Sequence, residues 1–292
     1  MRAARCSNQQ QNTRILFPAT SFRLRIPPRC SRWTANRYSR CSWVKSAGSI
    51  RGVVVERPCC RTNVMATTSL DGASVLLLGA TGGLGGALGM ELAGRGATLT
   101  LVGRDRTRLE QLDIPGARVA LDLRAPDACA AAVRAAVEHG GRLDVVINAV
   151  GVVAFGDIGS LSTDVMEELF MTNTFIPIMI AHEAMANLSS GGVMVNISGV
   201  IAEQNLPGMA AYGASKAAVR SFDEALAREA RRQGVRVLDA RPPHTETGLA
   251  GRAIAGTAPK MGVGLDPALV ARIVCDAIES GATDLPSGAF SV

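Results

Sequence analysis

From Ser74 onward the chain alternates short, wholly apolar runs with longer segments of mixed polarity. The first run, SVLLLGA (74–80), leaves no position to face water, as a strand covered on both faces requires. LGGALGMELAGRG (84–96) then reads as a helix that ends at Gly96. TLTLVG (98–103) predicts a second strand, and RDRTRLEQL (104–112) a second helix stopped by Pro115. A third strand, ARVALDL (117–123), leads into the helix PDACAAAVRAAVEHG (126–140), with proline near its first turn. LDVVINAVG (143–151) is a fourth strand, followed by helical sequence over 163–189 and the strand GGVMVNIS (191–198). A long helix over 209–232 and the strand VRVLDARP (235–242) complete the readable pattern. Strands that alternate with helices of ten or more residues imply an α/β fold: one doubly wound, mostly parallel sheet with helices on both faces. Residues 243–264 carry Pro, Gly and Thr without a clear period, and predict a mobile flap over the carboxyl edge of the sheet.

The link between the first strand and the first helix is rich in glycine. In LLLGATGGLGGALG, Gly79, Gly83 and Gly85 let the chain turn tightly and let a pyrophosphate approach the backbone at the positive end of the helix, with Thr81 and Leu84 in the same loop. Folds of this kind that prefer NAD place an acid at the end of the second strand, to bind the ribose 2′-hydroxyl. Here that strand ends LVGRDR, so Gly103 takes the acid's place and Arg104 follows. An arginine offers a forked donor to a 2′-phosphate, which favours NADP (NADPH) over NAD. Asp105 would restore some NAD use if the register moved by one residue.

Composition changes this picture at one end only. The chain of 292 residues is 47% hydrophobic and 19% charged, enough apolar material for a core. Its formal charge of +6 hides two unlike parts. Residues 1–64 hold 13 of the 31 basic residues and one of the 25 acids, Glu56, so they carry +12 and the remainder −6. The expected domain is therefore 65–292, mildly acidic, with no surface suited to nucleic acid. The first 64 residues are rich in Arg and Ser, show no period and lack the apolar stretch of a secretory signal. Three readings stay open for them: a disordered or misassigned stretch ahead of a start at Met65, an organelle transit peptide, or a basic binding arm. The first gives a cytoplasmic protein, the second an organellar one. The longest charge-free run, Ser74 to Met90, contains six glycines, so no transmembrane helix is expected. Cys129 and Cys275 imply no disulfide framework, and no cluster of His, Cys and acids has metal spacing. His182 reads as a packing or surface residue, whereas His244 lies in the flap, within reach of a substrate.

From Met65 onward the chain has one tyrosine, and it stands four residues before one of only two lysines: Tyr212 and Lys216 in MAAYGASKAAVRSF. Residues i and i+4 share a helix face. A phenol has an ordinary pKa of about 10 and is a poor base at neutral pH, and an ammonium one turn away favours its ionised form. With these residues the chain resembles the short-chain dehydrogenase/reductase family, of the Tyr-x-x-x-Lys type, over nearly all of 72–250. The glycine pattern matches Gly79, Gly83 and Gly85; Asp122 matches an adenine-contacting acid, with Leu123 beside it. NAVG, Asn148 to Gly151, stands for the family's N-N-A-G, and Asn173 in MTNTF for its active-site Asn. PPHTET stands for P-G-x-x-x-T, which aligns Thr247 with the cofactor-binding Thr.

The resemblance implies a single Rossmann domain and hydride transfer between a nicotinamide and a small-molecule carbonyl or secondary alcohol. It makes Tyr212 the acid/base, Lys216 the holder of the nicotinamide ribose, and Asn173 a member of a proton relay. It also implies a homodimer or homotetramer. One departure stands out. Thirteen residues before Tyr212, where the family has a serine that bonds the reacting oxygen, this chain has Gly199, with Ser198 one earlier. In a regular strand Ser198 points away from the site. A bulge, or one residue less in the following loop, re-aims it, and the intact Tyr212, Lys216 and Asn173 favour that re-aimed serine. Pro243 replaces the family's Gly, and NAVG lacks one amide side chain. Two other readings remain: a nucleotide-binding sensor or scaffold with little turnover, and a reductase acting on an acyl group carried by a partner protein.

Overall fold

The computed structural model describes residues 67–291; the basic segment and the boundary expected at 64/65 lie outside the described residues. Seven parallel strands form one sheet in the order β3-β2-β1-β4-β5-β6-β7. They are β1 (Ser74–Leu78), β2 (Thr98–Gly103), β3 (Ala117–Ala120), β4 (Leu143–Asn148), β5 (Leu188–Ile197), β6 (Arg236–Ala240) and β7 (Asp284–Leu285). The order reverses between β1 and β4, and at such a switch point two chains diverge and leave a crevice at the carboxyl ends.

All five residues of β1 are buried, and alternation explains why. Val75 and Leu77 pack with Leu88 and Leu92 of α1 (Gly83–Gly94) and with Val270, Val274 and Ile278 of α7 (Pro267–Glu279). Leu76 and Leu78 face the other way, toward Ala132 and Val133 of α3 (Ala128–Gly140) and Ile180 and Ala184 of α5 (Ile176–Met185). Each face of the sheet thus has its own apolar core, and a strand between two cores must be apolar throughout. The short α2 (Arg106–Glu110) begins at Asp105, whose carboxylate accepts from the Arg108 amide.

Helical sequence over 163–189 resolves into α4 (Thr163–Phe170), a π turn (Met171–Phe175) and α5, in one continuous run. The π turn follows from the sequence TFIP. Pro177 has no N–H for the carbonyl of Asn173 four residues back, and the Ile176 amide reaches to Met171 instead. The wider turn carries Asn173 at its centre. The long helix α6 (Ala210–Ala230) holds Tyr212 and Lys216. The segment over 243–264 is irregular, with one short turn (Ala250–Arg252), and is tied down by isolated bridges Ala154–Ala255 and Thr245–Leu265. Helix α7 and strand β7 lie beyond the pattern read from the sequence. Among the described residues no helix is long and apolar enough to cross a membrane, and no group of His, Cys, Asp and Glu is placed to hold a metal.

Candidate active site

The crevice at the switch point is floored by the glycine loop. A Cβ on Gly85 would collide with the Gly79 carbonyl, so only glycine allows the loop to close this tightly. The N-terminus of α1 begins after Gly82 without a side-chain cap and without an acid in its first turn. Its free N–H groups therefore stay available to an anion. Gly79, Thr81, Arg104, Asp122, Leu123 and Gly151, all expected to bind cofactor, line one cleft. Thr247 passes close over Gly83 with its backbone, while Leu84 packs into the core beside α1.

The end of the cleft beside Arg104 carries more guanidinium groups than the sequence pattern singled out. Arg104 is exposed and has no ion-pair partner among the described residues. Arg108 donates from Nη2 to the Thr81 carbonyl at 2.7 Å, across the glycine loop. Arg252 reaches the same cleft from the flap. Arg124 is spent on Asp122 at 2.7 Å and Glu168 at 3.0 Å. That hydrogen-bonded guanidinium holds the Asp122 carboxyl down to about 2. An acid at position 103 would also be crowded, because a Cβ there comes within 3.1 Å of the Thr81 methyl and 3.3 Å of Leu109.

At the other end, α6 and the π turn are bolted together. Asn173 Nδ2 donates to Ser215 Oγ at 3.0 Å, and Ser215 donates to the Tyr212 carbonyl at 2.7 Å. Thr174 Oγ1 donates to the Ser215 carbonyl at 2.8 Å. The Asn173 amide is also matched on both sides by the Val152 backbone, at 2.9 Å each. Gly151 marks where the groups converge, since a Cβ there would sit 3.3 Å from both Asn173 Oδ1 and Lys216 Nζ. Lys216 donates to the Ile197 carbonyl at 2.9 Å and is buried. The Tyr212 ring packs beside Ala154, Leu169 and Val152, and its hydroxyl has no partner among the described residues.

Three expectations need correction. Ser198 is not re-aimed into the cleft: it is fully buried, and its hydroxyl donates to Asp239 of β6. Alternation puts it with Met194 and Asn196 on the face that α6 covers, where the hydroxyl is committed to Asp239 and not offered to the cleft. Gly199 takes φ +83° at that point. The Asn148 side chain is turned inward, bonding Asn196 at 3.2 Å and the Val150 amide at 3.2 Å, so it props the cleft from beneath. The Tyr212 phenol is not lowered: burial pushes it up to about 12, while burial pulls the Lys216 ammonium down to about 8.

A family model described as short chain dehydrogenase matches residues 73–257, well over half of the chain. A bovine protein named dehydrogenase/reductase SDR family member 7B is 32% identical over 207 residues, which cover 65% of this chain and 63% of that one. A versicolorin reductase from Emericella nidulans is 30% identical over 54% of this chain and 63% of its own length. The match thus spans less than two thirds of both relatives. A Burkholderia cenocepacia short-chain dehydrogenase solved in complex with NADP superposes with a TM-score of 0.66, at 24% identity, over 77% of this chain and all of that one. A Serratia marcescens short-chain dehydrogenase/reductase variant gives a TM-score of 0.68 at 23% identity, over 77% of this chain and all of that one. At these identities the two structures speak for the fold. With the family model spanning β1 to β6, the glycine loop and the Tyr212–Lys216 turn, the chain belongs to the short-chain dehydrogenase/reductase family of oxidoreductases.

Proposed function

We propose that the protein is an NADP(H)-dependent oxidoreductase that interconverts a small-molecule carbonyl and a secondary alcohol, with Tyr212 as the proton donor and acceptor. The observation that carries this reading is the meeting of Lys216 and Asn173 at Gly151, one helical turn from Tyr212, at one end of a cleft whose other end presents Arg104 without a counter-charge. The residues fit the cofactor: the glycine loop leaves no room for a Cβ, the start of α1 is uncapped, and the position of the usual acid is a crowded glycine. When bound, the nicotinamide supplies or accepts a hydride.

The chain's own residues do the rest. Arg104 and Arg108 hold the 2′-phosphate end, and the backbone of the glycine loop holds the diphosphate. Lys216, fixed on the Ile197 carbonyl, orients the ribose. Tyr212 meets the substrate oxygen from beside the apolar patch of Ala154 and Leu169. A phenol held up near 12 keeps its proton at neutral pH until a substrate oxygen takes it. NADPH consumption in the presence of a panel of diketones, aldehydes and cyclic ketones tests the reading. Turnover of none of them, with NADPH bound, would sink it.

One observation favours a second reading, a nucleotide-binding sensor with little turnover. The donor that the family's serine provides is replaced from no nearby group. Ser198 bonds Asp239, the Ser198 and Gly199 amides both donate to the Ala240 carbonyl, and the Val200 amide donates to Pro242. The same panel separates the two, since a sensor binds NADPH and consumes none.

A further inference from the structure

Behind the Tyr212–Lys216 pair lies a buried charge network that proton transfer does not use. Lys216 Nζ rests on the carbonyl of Ile197. The next residue, Ser198, gives its hydroxyl to one oxygen of Asp239, and Arg241 gives Nη1 to the other. Arg241 is itself buried and reaches Glu203 and, at 2.7 Å, Asp284 of β7. Ser287 closes the chain by donating to Glu203 at 2.6 Å. A buried serine–carboxylate–guanidinium chain of this length is costly unless each member is satisfied, and here each is.

We propose that Asp239 is a positioning residue for Lys216: through Ser198 it fixes the Ile197 carbonyl on which the ammonium rests, and its carboxylate offsets the cost of burying that ammonium. The proposal rests on the reading of Lys216 as the group that orients the cofactor. It gives Ser198 a task that its orientation allows, since its hydroxyl serves the strand end and not the substrate. The other charged groups around Lys216 do not substitute for Asp239. On α6, Tyr212 is an uncharged phenol, and Asp223 lies two turns on, where burial raises its carboxyl well above the ordinary value and weakens its hold on a proton-bearing neighbour. On the segment after β5, Glu203 is engaged by Arg241 and Ser287. Just after β6, Arg241 is a cation, balanced also by Glu203 and by Asp284 of β7. The π turn offers the uncharged Asn173, and the flap offers His244 and Glu246, which lie 3.5 Å from one another. Consistent with this, burial lowers Lys216 to about 8, and the charge of Asp239 works against that fall.

The test reads Lys216 directly, without cofactor or substrate. The chain has three lysines, Lys45, Lys216 and Lys260, so the Cε resonances of the full chain labelled with 13C-lysine are few, and Lys216→Met assigns the one of interest. In the parent protein the Lys216 resonance should titrate near 8. Asp239→Asn, close in shape but neutral, should lower that midpoint by about one unit, and Asp239→Glu should restore it. The alkaline limb of the NADPH-affinity profile should move with it, while the melting temperature of a merely repacked variant would change without moving either. Ser198→Ala keeps the Asp239–Arg241 pair and serves if Asp239→Asn does not fold; it should lower the midpoint by about half a unit. An unmoved midpoint in a folded Asp239→Asn, or in Ser198→Ala if Asp239→Asn does not fold, overturns the proposal. Failure of the parent to bind NADPH at any pH would instead overturn the cofactor reading, with the titration still informative.

Discussion

Replacing Arg104 by alanine is the sharpest probe of the cofactor end. The side chain is exposed, lines the cleft and has no ion-pair partner among the described residues, so its removal disturbs no internal contact. An exposed ion pair is worth about 0.2–1 kcal/mol, and a hydrogen bond to a charged group about 1.5–3 kcal/mol. A phosphate dianion on a solvent-facing guanidinium stands between these ranges. Arg108, held on the Thr81 carbonyl at 2.7 Å, remains as a second cation and limits the loss. A cost of about 1.4–2 kcal/mol is reasonable, which is roughly a tenfold to thirtyfold weaker dissociation constant for NADPH. NADH carries no 2′-phosphate and should be unaffected. Fluorescence titration of both cofactors into both proteins measures this. The parent should prefer NADPH at least about tenfold, a preference that shrinks in added salt because the contact is exposed. Equal affinities in the parent, or an Arg104→Ala change that weakens NADH as much as NADPH, would refute the reasoning.

Two further outcomes concern stability and the turn after β5. Asp223 is buried with one oxygen unpartnered, and burial raises its pKa well above the carboxylate range. A raised carboxyl contributes stability in full below its unfolded value of about 3.9 and loses it as pH climbs toward the folded value. Asp223→Asn, which keeps the bond from Asn196, should therefore melt higher than the parent at pH 7–8, with little advantage at pH 4; a uniform drop at every pH would contradict this. Gly199→Ser has room, with nothing nearer its Cβ than the Pro242 carbonyl at 3.9 Å, yet φ of +83° with ψ of 163° is a conformation kept almost wholly to glycine and strains it by about 1–3 kcal/mol. It should melt a few degrees lower but reduce diketones faster than the parent; slower turnover would show that the position does not face the reacting oxygen.

Much of this arrangement was legible because it is local. The β1 run, the glycine loop and the Tyr212–Lys216 spacing each lie within about a dozen residues, and their meaning depends on little else. Alternation along β5 likewise sets Ser198 on the opposite face from Gly199, and in the structure its hydroxyl is committed to Asp239. Nothing local marks the partner that holds Ser198 out of the site: Asp239 is 41 residues away and becomes a neighbour only when β6 pairs with β5. The π turn did have a local sign, Pro177 four residues after Asn173, which periodicity alone passes over. The phenol's raised pKa could not be read at all, because spacing gives proximity along a helix face while burial decides which charge state survives.

The account stands or falls on Tyr212. Tyr212→Phe keeps the ring against Ala154 and Leu169 and removes only a hydroxyl without a protein partner, so folding and NADPH affinity should be unchanged. General acid catalysis by a placed side chain contributes roughly a hundredfold to ten-thousandfold in rate. Single-turnover oxidation of bound NADPH by the best substrate in the panel should therefore slow by at least about a hundredfold in the variant. A Tyr212→Phe protein that binds NADPH and turns over at the parent's rate would contradict the account.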